Sequence, residues 1–159
     1  MELESKKRQK YEGDYDATML EQWKTCVDMA NSNTEKRNTA NNVYITINAA
    51  ILAIVTFTLD YKSIVLSVVG VFICVLWIKT IRSYTKLSKA KYDIINEIEK
   101  NLPLQPFTCE WKELNKVGYT GLTKIEFALP IVFIVLFALA IVFPFAKVVW
   151  PYIVNMFVK

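Results

Sequence analysis

Arg37, Asn41 and Asn48 follow one another at steps of four and seven, a spacing that puts a guanidinium and two amides on one face of a helix. Such groups need partners wherever water is scarce. Two roles suit them: a polar line at the cytoplasmic mouth of a pore or sensor, or interhelical hydrogen bonds that join subunits. The second is the preferred reading, because bonds of that kind are modest but common in membrane proteins. Ser63, Ser67, Gly70 and Cys74 form another set, at steps of four, three and four. Small residues in that pattern let two helix backbones approach closely, so this face is expected to pack against a helix.

Catalytic chemistry has little to work with. Histidine is absent, which removes the commonest general base and the commonest metal ligand together. GxSxG, GxxxxGK[ST], CxxC and HExxH do not occur. Glu110 and Glu113 read as solvated charge. Glu126 lies four residues before Pro130, where an acid in the first turn of a helix suits the macrodipole, and a proton-coupling role is the lesser reading. Cys26, Cys74 and Cys109 are odd in number and scattered, as free thiols in a reducing compartment would be. Cys74 sits among apolar residues, where a thiol is unreactive. No catalytic residue, cofactor or metal site is expected.

The elements that carry these residues follow from how the 159 residues are segregated: 53% are apolar and 21% charged, in separate blocks. Apolar runs fill 43 to 59, 64 to 78 and 127 to 146, and charges crowd between them. A helix needs about 20 apolar residues to cross a hydrocarbon core about 30 Å thick. Phe127 to Ala146 meets that length without a charge. Val43 to Leu59 reaches the lower end. Ile64 to Ile78 is shorter, with Lys79 and Arg82 placed to snorkel towards headgroups. Asp60 to Ser63 is long enough only for a tight helical hairpin, so if the first run spans, the second returns; a re-entrant pair is the alternative.

Seven Lys and Arg precede Val43 and nine lie between Lys79 and Lys124, against Lys62 alone in the hairpin. By the positive-inside rule both basic segments are cytoplasmic, the N-terminus is inside and the C-terminus outside. Tyr61, Trp150 and Tyr152 then belong at the outer interface, Trp77 and Tyr84 at the inner one. The net charge of +4 is explained by this topology, so no nucleic-acid partner is expected. Residues 1 to 30 hold no apolar stretch, so the first span serves as the insertion signal.

Leu20, Trp23, Val27, Ala30 and Thr34 keep a heptad spacing that continues through Arg37, Asn41, Tyr44, Asn48 and Ile51. Ser32 to Glu35 also fits a capping box, yet one long helix is the preferred reading. Tyr84, Leu87, Lys91, Ile94 and Ile98 extend the second span until Leu102 and Pro103. The result is an all-α integral membrane protein with three transmembrane helices, the first two extended into a cytoplasmic antiparallel stalk. Its parts are a polar tail (1–18), a cytoplasmic helix (19–42), span one (43–59), span two (64–81), a second cytoplasmic helix (82–102), an irregular cytoplasmic loop (103–124), span three (125–147) and an external tail (148–159).

The stretch from Trp23 to Asn48, the segment from Trp77 to Leu102, the hexapeptide Pro106-Phe107-Thr108-Cys109-Glu110-Trp111, and Leu122 to Glu126 with Pro130 resemble the bacterial RipA family of octameric inner-membrane proteins. Lys36-Arg37 followed by Ala40-Asn41 is the most specific piece. The likeness covers roughly residues 16 to 143. It implies a homo-octamer in the bacterial cytoplasmic membrane and assigns no chemistry to individual residues. A homo-oligomeric scaffold or regulator, in contact with lipid and with a cytoplasmic protein partner, is the expected function. The alternative is an oligomeric channel or pore, including a membrane effector of a bacterial defence system.

Overall fold

Asp14 starts the first helix: its carboxylate accepts from the backbone N–H of Asp16 (3.1 Å) and of Ala17 (3.0 Å), satisfying donors that the helix itself cannot. Helix α1 then runs from Tyr15 to Thr58, so it begins inside the stretch read as a polar tail. It passes unbroken through Ser32 to Glu35, and no new helix starts there. The computed structural model describes residues 8, 11–58, 61–119 and 121–157, without the side chains of 58, 61 and 145–157. The hairpin tip at 59–60 lies outside them, as do the side chains of Tyr61, Trp150 and Tyr152.

Helix α2 spans Tyr61–Glu99, beginning three residues before the expected start of span two, and it ends four residues short of Pro103. Remaining helical through Lys79 and Arg82, it has no shortage of length. Helix α3, Pro106–Lys116, replaces most of the irregular loop. Pro106 and Gly118, read from the sequence as breakers, flank it: Pro106 is its first residue and Gly118 follows the C-cap Val117. Proline suits the first helical position, where its missing N–H costs nothing. Gly118 adopts φ +66, and the Tyr119 and Gly118 N–H groups reach back to the carbonyls of Leu114 (3.1 Å) and Asn115 (3.4 Å). This is a Schellman cap, which favours glycine at the left-handed position.

Helix α4 spans Leu122–Phe157, so the backbone of the supposed external tail is helical to residue 157. Glu126 consequently lies beyond the first turn, and the macrodipole argument for it falls away. By length and composition, α1, α2 and α4 can each cross a membrane. No strand occurs among the described residues.

The chain divides into two compact units. Unit 1 is Met1–Asn38 with Ser83–Gly121, and unit 2 is Thr39–Arg82 with Leu122–Lys159. In unit 1, Ala30, Asn33, Ile95 and Glu99 are buried. Asn33 Nδ2 donates to Ser88 Oγ at 2.8 Å, joining α1 to α2. Phe107 of α3 packs against Trp23 (6.0 Å between centroids) and Tyr92 (5.9 Å). Unit 2 buries Val55, Cys74, Trp77, Ile81, Pro130 and Phe137. There α1 and α2 are antiparallel: Asn48 meets Cys74 while Tyr44 meets Thr80.

The expected α1 seam is buried at Ala30, Asn41 and Asn48 with two departures, and the α2 seam is displaced. On α1, Asn33 is buried where Thr34 was expected, and Leu20 is exposed. On α2, Leu87 is exposed and the buried positions are Ile81, Ile95 and Glu99, with Ser88 bonded to Asn33. The displacement has a simple cause. Asn33, Ser88 and Glu99 are polar, and a seam whose polar members are satisfied by hydrogen bonds cannot be traced by hydrophobicity alone.

Candidate functional site

In unit 2 the polar residues of α1 meet α2 of the same chain. Asn41 Oδ1 accepts from Trp77 Nε1 at 2.8 Å. Asn48, fully buried, accepts from Cys74 Sγ at 3.2 Å through Oδ1 and donates to the Tyr44 carbonyl at 2.8 Å through Nδ2. Thr80 Oγ1 donates to the Leu76 carbonyl (3.1 Å), so Tyr44 Oη is the donor in the 3.1 Å bond between them. The Tyr44 ring stacks on Trp77 at 7° between planes and 5.7 Å between centroids. These contacts occupy about two turns of α1.

Arg37 is half-buried and falls in unit 1, so the line drawn through it and the two asparagines is shared between the units. For Asn41 and Asn48, α2 of the same chain supplies a partner.

Ser63, Ser67, Gly70 and Cys74 are all buried. Opposite Gly70 stands Phe137 of α4. A Cβ added to Gly70 would fall 2.5 Å from Phe137 Cε2 and Cζ. Glycine here is a steric necessity, since hydrogen is the only substituent that leaves room for the ring. Phe137 stacks in turn on Phe133 (6.4 Å), and Phe133 leans on Trp77 (6.2 Å, 50°). A continuous aromatic row therefore joins Tyr44 of α1, Trp77 of α2, and Phe133 and Phe137 of α4. Aromatic pairs of this kind add roughly 0.5–1.5 kcal/mol each beyond the area they bury.

Glu99 in unit 1 went unnoticed in the sequence. Its side chain is fully buried, and its carboxylate accepts from Phe107 N–H (3.1 Å), Thr108 N–H (3.2 Å) and Thr108 Oγ1 (3.1 Å). Gln105, at the N-cap of α3, makes no side-chain capping bond, so the acid that caps α3 comes from the end of α2. A negative group there also opposes the positive end of the helix dipole. The available signal was Pro106 as a helix start with no Ser, Thr, Asp or Asn before it. A helix start without its own cap has to borrow one.

The arrangement can hold helices together: the Oδ1 atoms of Asn41 and Asn48 are taken up by Trp77 and Cys74, while Ser67 Oγ is buried without a hydrogen-bond partner. Cys26, Cys74 and Cys109 are free thiols. Among the described residues no group of three or more Cys, Asp or Glu is placed to hold a metal ion. Outward from the seam, Phe57, Val65, Phe72 and Leu139 present their apolar side chains, Phe57 at 91% exposure. Surface of that kind belongs in lipid or against another protein.

Residues 20–146 match the model of a family described as the octameric membrane protein family (8xMP). No curated protein and no solved structure matches the chain.

Proposed function

Since the chain belongs to the octameric membrane protein family, we propose that it is a homo-octameric scaffold or regulator of the bacterial cytoplasmic membrane, akin to the RipA proteins and without catalytic activity. Its N-terminus and the basic segment from Lys79 to Lys124 face the cytoplasm, and its C-terminus faces outward. A protein partner binds at the cytoplasmic surface. The observation that carries this reading is the pairing of Asn41 and Asn48 with Trp77 and Cys74 inside one chain. A conduction path through these amides would need them turned towards water. Their engagement leaves the outward face of the spans apolar, which suits lipid and neighbouring subunits.

Asn48→Leu tests this. The change removes a buried interhelical bond worth about 0.6–2 kcal/mol. The mutant should be less stable in detergent, because α1 and α2 of each chain lose a bond that joins them, and neither protein should pass ions in liposomes. Wild-type flux that disappears in a mutant of unchanged mass would establish the channel instead.

A further inference from the structure

Unit 1 contains a cleft of about 630 Å³ between the C-terminal turns of α2 and the face of α3, with Tyr119 also in its lining. That volume is in the range of small-molecule sites. Its apolar wall is preformed, because Phe107 is held between Trp23 and Tyr92. One turn along α3, Trp111 also lines the cleft and remains 58% exposed.

The lining carries a net negative charge. Elsewhere Glu21, Glu97 and Glu113 each pair with a lysine three residues on. Asp93 from α2 and Glu110 from α3 have Asn96 and Glu113 at that position, and neither forms a salt bridge among the described residues. Against Lys89, the single cation of the lining, the two carboxylates leave a net charge of −1. Asn96, a further lining residue, has a buried side-chain oxygen without a hydrogen-bond partner. That oxygen is shielded from solvent, so a ligand donor satisfies it once the Asn96 side chain turns into the cleft.

We infer that this cleft binds a small organic cation, an ammonium or guanidinium with N–H donors on an apolar body, its charge set between Asp93 and Glu110 and its body against Tyr92 and Trp111. Aromatic faces attract cations through the ring quadrupole, so walls and carboxylates select the same charge. The site is separate from the unit 2 seam and does not depend on the scaffold reading.

Calorimetric titration of the full-length oligomer in micelles, with protein-free micelles as blank, tests it using phenethylammonium as the probe. Saturable binding is expected, and Asp93→Asn with Glu110→Gln should weaken it about tenfold or more. Trp111→Ala should weaken it as well. Circular dichroism and particle mass serve as the check that each variant is folded. Phenylacetate, of similar shape and opposite charge, should not bind. The trimethylated ammonium, which lacks donors, should bind more weakly than phenethylammonium. An absence of saturable binding to the wild-type oligomer overturns the site, as does phenylacetate binding equally well or full affinity in the doubly neutralised variant. Equal affinity for the trimethylated probe overturns the role given to Asn96.

Discussion

Gly70→Ala places one methyl group where the Phe137 ring already lies. The added carbon would sit 2.5 Å from Cε2 and Cζ and 2.8 Å from Cε1, whereas ordinary contact begins near 3.4 Å. The ring must retreat by about 1 Å, and the stack on Phe133 opposes that movement, because Phe133 itself rests on Trp77. Overpacking of this sort costs roughly 1–3 kcal/mol. Alanine also gains up to about 1 kcal/mol over glycine in helix propensity, which masks part of the loss. A double-mutant cycle removes that ambiguity. All three clashing atoms are absent from leucine, so in a Phe137→Leu background the Gly70→Ala change should be neutral or slightly stabilising, while in the wild-type background it should destabilise.

The coupling expected from this cycle is about 1–3 kcal/mol, well above the roughly 0.5 kcal/mol within which independent sites add. Reversible unfolding of the detergent-solubilised protein, followed by tryptophan fluorescence across an SDS titration, supplies the four free energies. Additive behaviour would mean that the small face of α2 does not meet Phe137, and the packing of α2 on α4 derived from Gly70 would have to be abandoned.

Replacing Glu99 with alanine strands two backbone donors at the start of α3, at an expected cost of about 1–3 kcal/mol. Faster hydrogen exchange should concentrate at Phe107 to Cys109, with Glu99→Gln milder; exchange rates unchanged in the alanine variant would refute the borrowed cap. Membrane direction is open to cysteine labelling, on the strength of sixteen basic residues in the two segments assigned to the cytoplasm against one in the hairpin. In intact cells an impermeant maleimide should modify a cysteine placed at Tyr61 and miss one placed at Lys112, all against a background lacking the three native cysteines. The opposite labelling pattern would invert the topology.

Three long apolar helices could be read from the chain alone, because the separation of apolar from charged blocks is a one-dimensional property and the hydrocarbon thickness sets the required length. The small face from Ser63 to Cys74 and the alignment of Asn41 with Asn48 followed from helical spacing in the same way. Spacing says which residues share a face and not what stands opposite. Only the tertiary structure decided that the amides meet Trp77 and Cys74, and that Gly70 is covered by a phenylalanine sixty-seven positions away in the chain. Helix α3 shows the same division most clearly. Pro106 and Gly118 punctuate an ending as readily as a beginning; Gly118 closes α3 through local backbone bonds, whereas the start at Pro106 is capped by a carboxylate from α2 whose identity spacing does not give. The shifted α2 seam has this cause too: half-buried Ser88 and buried Glu99 are bonded by Asn33 and by the start of α3, and hydropathy ranks a side chain by its affinity for water without regard to the partner that replaces it.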